Sequence, residues 1–83
     1  MSNERRRGWF AISMDFKESC PGLVQRIMGE CVITRAQQYD ASRVIVYEAE
    51  SRRFDPVPDG EATPSYIWFA AAADDLVDCR RVS

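Results

Sequence analysis

Four segments of this chain have the residue pattern of β-strands, whereas a single segment has the pattern of an amphipathic helix. Residues 8–16 alternate apolar and small or polar side chains, as a half-buried strand does. Residues 43–50 and 66–70 are rich in β-branched or aromatic residues, which favour strands, and we predict a further strand over residues 76–82. Residues 23–39 place apolar side chains every three or four positions, which predicts a helix. We therefore predict an α+β fold with the element order β-α-β-β-β.

The length of the chain limits how these elements can pack. Its 83 residues are too few for a second independent core, so we expect residues 8–83 to form one domain. Residues 1–7 are polar and arginine-rich, and we expect a flexible basic tail there. A right-handed crossover from the first strand to the second would lay the helix on one face of a mainly antiparallel sheet. The expected architecture is a two-layer sandwich.

Residues 51–65 contain three of the four prolines and one glycine, so they predict an irregular loop. The loop carries a short segment, residues 54–57, that suits an extended conformation. A turn near Asp74 and Asp75 is expected to join the last two strands.

Several classes of active site are disfavoured by composition. The chain has no histidine, which removes the commonest general base and the usual partner of a nucleophilic serine or cysteine. Cys20, Cys31 and Cys79 are odd in number and lack CxxC spacing, so we expect no disulfide framework and no metal site. Adjacent carboxylates such as Asp74 and Asp75 point apart on a turn. We expect a protein that is not an enzyme and that binds no cofactor or small-molecule substrate.

The expected location is the cytoplasm of a bacterial cell. No apolar run approaches the roughly 20 residues that cross a bilayer, and the polar start of the chain does not resemble a secretory signal. Ten of the eleven basic residues are arginine, a bias typical of GC-rich bacterial or phage coding sequences.

The first candidate site is an open sheet face. Large apolar residues occur on both sides of the predicted strands, and one helix covers only one side. Exposed apolar patches often mark interaction surfaces. We therefore predict a protein-binding face formed by Trp9, Val46 and Trp68. The alternative is that loop 51–65 folds back over this face.

The second candidate site is acidic. Residues 48–78 hold eight acidic and two basic side chains. Carboxylates of this kind can occupy a basic groove on a partner protein, because complementary charge speeds association and fixes register. The residues we assign to this surface are Glu48, Glu50, Asp55, Asp59 and Glu61. The alternative is an ordinary solvated surface.

The third candidate site is basic and would contact nucleic acid. It joins an arginine run to the neighbouring Trp9, a pairing that contacts phosphate and stacks on bases. Its members are Arg5, Arg6, Arg7, Arg52 and Arg53. The alternative is a solubilising tail, and the acidic middle of the chain makes nucleic acid a less favoured partner than protein.

Residues 46–66 carry a strand, then Phe54-x-x-Val57-x-x-Gly60, then Pro64-x-Tyr66 at the start of the next strand. This stretch, about a quarter of the chain, resembles small phage and prophage accessory proteins, among which the anti-CRISPR inhibitors are a group of small acidic proteins. The resemblance implies a phage-encoded modulator or inhibitor of a larger host complex. It assigns no role to any single residue.

Three functions therefore remain open on the sequence. The leading interpretation is a small protein-interaction module that uses the open face and the acidic loop. The second is a homodimeric nucleic-acid-binding regulator that dimerises through the sheet face. The third is a structural phage component, which would form larger assemblies.

Overall fold

A computed structural model describes residues 5–58, 60–70 and 77–82. Their secondary structure comprises β1 (Arg7–Ser13), α1 (Met14–Ser19), α2 (Pro21–Gly29), β2 (Val32–Tyr39), β3 (Val44–Glu50), β4 (Tyr66–Ala70) and β5 (Val77–Arg81). The predicted α+β class with mainly antiparallel pairing is confirmed. The predicted order β-α-β-β-β is wrong, because the described residues hold two short helices and a strand that the sequence analysis did not recognise. The predicted turn at Asp74 and Asp75 lies outside the described residues.

The strands form two antiparallel sheets. The first has three strands in the order β1-β3-β2, and the second pairs β4 with β5. In the first sheet Phe10 of β1 and Ala36 of β2 both lie opposite Tyr47 of β3. This register decides which side chains share a face, because residues directly opposite each other point the same way.

The helix predicted over residues 23–39 is the main error of the sequence analysis. Helix α2 ends at Gly29, and the second half of the predicted helix is strand β2. Strand β2 begins with Val32, Ile33 and Thr34, three β-branched residues that fit a strand better than a helix. The helical spacing of apolar residues across this boundary is coincidental.

The predicted crossover from the first strand leads to a different strand, for the same reason. The strands at residues 7–13 and 44–50 are neighbours, as expected, but they run antiparallel. Strand β2 is also antiparallel to β3, so β1 and β2 are parallel to each other with β3 between them. The connection through α1 and α2 therefore crosses from β1 to β2, and the hairpin from β2 then places β3 antiparallel to β1.

The first strand is shorter than predicted because a helix begins at its end. Strand β1 stops at Ser13, whose hydroxyl oxygen accepts a hydrogen bond from the Phe16 amide at 3.0 Å. This is an N-cap, and it starts helix α1. Helix α2 follows directly, with Cys20 as its N-cap residue and Pro21 in its first turn.

The hydrophobic core lies on one side of the three-stranded sheet, here called the inner face, to which Gly8, Phe10, Ile12 and Ala49 belong. Helix α2 contributes Val24 and Ile27, and the second sheet contributes Tyr66 and Val77. Among the described residues no helix has the length or apolar character needed to span a membrane.

Loop 51–65 is irregular, as predicted, but it is part of the core. The Phe54 side chain is fully buried and stacks on the Tyr66 ring with their centroids 4.3 Å apart. Val57 is also buried. The loop packs over the inner face at Gly8.

All three arginines assigned to the flexible tail belong to the fold. The Arg5 carbonyl accepts a hydrogen bond from the Val57 amide at 2.8 Å, and the Arg6 carbonyl accepts one from the Ser51 amide at 3.0 Å. Arg7 is the first residue of β1. Loop 51–65 supplies these partners, which the sequence analysis did not foresee. Residues 1–4 lie outside the described part of the chain.

Candidate functional site

The side of the three-stranded sheet that faces away from the core is open. We call it the outer face, and the register assigns to it Arg7, Trp9, Ala11, Ser13, Val32, Arg35, Gln37, Tyr39, Val44, Val46, Glu48 and Glu50. None of these residues is buried. The helices and the second sheet bring their core residues to the inner face instead. The predicted open face therefore has a counterpart in the fold.

Two of the three predicted apolar residues meet on the outer face. Val46 lies opposite Ala11, and Trp9 is two residues before Ala11 on the same strand, so all three point outward. Together with Ile67 they line a groove of about 240 Å³ along β1. Trp9 and Val46 are only partly exposed.

Trp68 differs from the prediction, because it lies on the inner side. The centroid of its ring is 5.9 Å from that of Phe10, which it contacts edge-on, and 5.9 Å from that of Phe54. Its indole nitrogen is buried and has no hydrogen-bond partner in the described structure. Trp68 nevertheless borders a second groove, of about 410 Å³, whose lining includes Ala11 and Phe16. The two grooves therefore adjoin at Ala11.

The acidic residues predicted as one surface have different roles. On the outer face Glu48 lies between Trp9 and Arg35, and Glu50 lies opposite Arg7, so positive charge is interleaved with negative. This arrangement gives the face a mixed rim and no uniformly acidic stripe.

The other acidic residues lie in loop 51–65. A carboxylate oxygen of Asp55 is 3.6 Å from the guanidinium of Arg81, and the Asp55 amide donates to the Tyr66 hydroxyl at 2.7 Å. Asp55 therefore helps to fix the loop. Glu61 is exposed, and Asp59 lies outside the described residues.

Part of the predicted basic site does assemble. Arg5, Arg6 and Arg52 line a third groove, of about 610 Å³, beside the C-terminal end of α2. Glu30 and Glu50 line the same groove and reduce its positive potential. Arg6 is held in place because its guanidinium donates to the Phe54 carbonyl at 2.9 Å.

The other two arginines of the predicted basic site are Arg53 and Arg7. Arg53 is 3.3 Å from a carboxylate oxygen of Glu30 and 3.4 Å from one of Asp78, so it ties the loop to α2 and β5. Its hydrogen bond with Glu30 is the largest contribution that raises the Arg53 pKa. The Nε atom of Arg7 is buried and has no hydrogen-bond partner in the described structure.

Cys31 lines the same groove as Arg5, Arg6 and Arg52, and it packs against the core. Burial is the main cause that raises its pKa from 9.0 to about 11. The thiolate is the reactive form of cysteine, so we expect slow alkylation of Cys31 in the folded protein near neutral pH. Because the pKa of Cys31 is higher in the folded state, protonation of its thiol stabilises the fold. This stabilisation is fully present below pH 9 and is lost as the pH rises from about 9 to about 11.

Peptide mapping after pulse alkylation at a series of pH values measures this shift, because trypsin places the three cysteines in separate peptides. The expected midpoint for Cys31 is close to 11 in buffer and close to 9 in urea. Equal midpoints in the two solvents would show that the folded protein does not protect this thiol.

Several surface residues escaped the sequence analysis. Ile67 and Phe69 of β4 are 42% and 44% exposed, and Val82, directly after β5, is 53% exposed. The alternation within residues 66–70 separates Ile67 and Phe69 from Trp68, but it does not reveal which set faces the core. Val32 and Tyr39 were missed because their strand was predicted to be a helix.

No group of three or more cysteine or acidic side chains within the described ranges is arranged to hold a metal ion. Comparison of this chain with protein-family models, curated proteins and solved structures found no match.

Proposed function

We propose that this chain is a protein-interaction module that binds a larger partner through the outer face of its three-stranded sheet. The observation that carries the proposal is that Trp9 and Val46 lie on one face of the sheet, where neither side chain is buried and both line one groove. Tryptophan is among the residues that most often dominate binding energy at interfaces. A chain that covers one side of its sheet and leaves apolar residues on the other has a surface suited to a partner.

The geometry indicates what the partner should present. The groove that Trp9, Ala11 and Val46 line suits an apolar side chain from a convex surface. On the same outer face Arg7 lies opposite Glu50 and Arg35 lies opposite Glu48, so the rim of this face carries charges of both signs. Rim charges of this kind set orientation and association rate more than affinity. The expected partner surface is therefore an apolar projection surrounded by both acidic and basic groups.

We also propose that the module is phage- or prophage-encoded and modulates a host complex. Support comes from the small size, the acidic net charge of −2 and the preference for arginine over lysine. The resemblance carried by residues 46–66 points the same way.

The test is retention of host proteins on immobilised protein, followed by measurement of affinity with the purified partner. We expect Trp9→Ala and Val46→Glu each to weaken the complex by roughly 30-fold, the effect of losing a residue worth about 2 kcal/mol at an interface. Gln25→Glu adds the same charge on the exposed side of α2 and is the matched control. Unchanged retention of every partner by Trp9→Ala and Val46→Glu would reject the proposal.

A second candidate, a nucleic-acid-binding regulator, rests on Arg5, Arg6 and Arg52 lining one groove. If phosphate binds there, affinity falls steeply with salt, by a slope of about 0.9 per phosphate contact. Arg52→Gln should then lower both affinity and slope, whereas Arg43→Gln, beside Asp15 and Glu18, should change neither. We favour the first function, because two glutamates share the groove and the chain is net acidic.

A further inference from the structure

We propose that β2 pairs antiparallel with β2 of a second copy of this chain, with Gln37 at the two-fold axis, so that two three-stranded sheets join into one of six strands. This inference does not rest on the proposed function, because it requires only the open edge of β2 and no partner bound at Trp9 and Val46.

Strand β2 is the open edge of the sheet. Within residues 5–58, 60–70 and 77–82, the strand order β1-β3-β2 leaves one side of β2 unpaired, and of its eight residues all except Ile33 are exposed. At the opposite edge, β1 is partly occupied because the Trp9 amide donates to the Pro64 carbonyl at 2.9 Å. An open edge strand is a template for pairing with another chain.

The usual protections of an edge strand are weak in β2. It contains no lysine and no proline, and Arg35 is its only charged residue. Its bulge lies between Ile33 and Arg35, near the beginning of the strand. Residues 36–39 are therefore a regular, uncharged edge.

The pattern of backbone hydrogen bonds in the sheet shows which amide and carbonyl groups of β2 point to the open edge. The Met14 amide donates to the Arg43 carbonyl, and the Ser51 amide donates to the Arg6 carbonyl, so even-numbered residues of β1 bond to odd-numbered residues of β3. Successive residues of a strand direct their amide and carbonyl groups to opposite edges. Even-numbered residues of β3 therefore bond to β2.

In the β2–β3 register Val46 lies opposite Gln37, and Val44 lies opposite Tyr39. These pairs are thus the hydrogen-bonded ones. The amide and carbonyl groups of Ala36 and Gln38 point away from the sheet and toward the open edge.

This pattern permits a symmetric pairing. With Gln37 opposite Gln37 of the second copy, Ala36 of each chain lies opposite Gln38 of the other, and the two pairs can exchange four backbone hydrogen bonds. Arg35 then lies opposite Tyr39 of the second copy, where guanidinium and ring can form a cation–π contact. No two like charges face each other across the axis from residue 35 to residue 39, so the edge is complementary to itself.

Light scattering after size-exclusion chromatography over a range of concentrations tests the pairing. The wild-type mass should rise with concentration to twice the 9.5 kDa of one chain. Gln37→Glu and Gln37→Lys should each stay monomeric, because each sets like charges face to face at the axis. An equimolar mixture of the two should recover the dimer. Gln25→Glu and Gln25→Lys, on α2, are the matched controls and should behave as wild type.

A second variant examines the backbone groups directly. Ala36→Pro removes an amide that points to the open edge and leaves the pairing with β3 intact, so it should give a folded monomer. A wild-type chain that remains monomeric at all concentrations overturns the proposal. So does assembly beyond a dimer, or a dimer that Gln37→Glu does not disrupt, because either outcome assigns association to another surface.

Discussion

Replacing Gly8 with alanine is expected to destabilise the protein strongly. A Cβ atom at this position would lie 2.7 Å from Cδ1 of Tyr66 and 2.9 Å from two ring atoms of Phe54. Both rings are buried and stacked on each other, so neither can move aside without disturbing the core. Overpacking of this kind costs about 1–3 kcal/mol or more in the free energy of unfolding.

Thermal unfolding followed by circular dichroism measures the Gly8→Ala effect. For a domain of this size each kcal/mol lowers the midpoint by roughly 4–8 °C. Gly29→Ala is the matched control, because nothing lies within 4 Å of its added Cβ and alanine favours the helix there. We expect Gly29→Ala to unfold at or above the wild-type temperature. Equal midpoints for wild type and Gly8→Ala would show that the rings do not pack on β1.

The second large effect is expected for Phe54→Ala. Phe54 is a loop residue with no exposed surface, and its ring contacts both Tyr66 and Trp68. Removing a buried phenylalanine side chain costs about 3–5 kcal/mol. Small domains have a total stability of only about 5–15 kcal/mol, so the variant should be close to unfolding at 37 °C.

Urea denaturation at 25 °C compares Phe54→Ala with a control of identical chemistry. Phe69→Ala removes the same side chain from a position that is 44% exposed on β4, and we expect it to cost under about 1 kcal/mol. If both variants lost the same stability, loop 51–65 would not be the core element described above.

The sequence predicts the fold where a strand has one buried face. Strands β3 and β4 were located closely because β-branched and aromatic residues dominate them. Strand β2 was missed because almost all of its side chains are exposed. Its sequence therefore lacks the regular alternation of apolar and polar residues that marks a half-buried strand. Its residues happened to continue the helical spacing of α2. Edge strands of this kind are recognised by their pairing, which a single sequence does not display.

The candidate site could be predicted in part for similar reasons. Alternation along β1 directs the side chains of Trp9 and Phe10 to different faces of the sheet. The register of β1 with β3 then brings Val46 to the face that carries Trp9. Trp68 was assigned to the wrong side because alternation separates two faces without saying which one meets the core. The position of Phe54 was also beyond sequence reasoning, because a single aromatic residue in a proline-rich loop has no periodicity to interpret.

The most direct test of the central claim, that the outer face binds a partner protein, is site-specific photo-crosslinking in bacterial host cells. A crosslinking amino acid at position 46 samples the outer face, and one at position 25 samples the exposed side of α2. We predict a discrete adduct with another protein from position 46 that disappears with Trp9→Ala, and no such adduct from position 25. Adducts that form equally from both positions, or that survive Trp9→Ala unchanged, would contradict the claim.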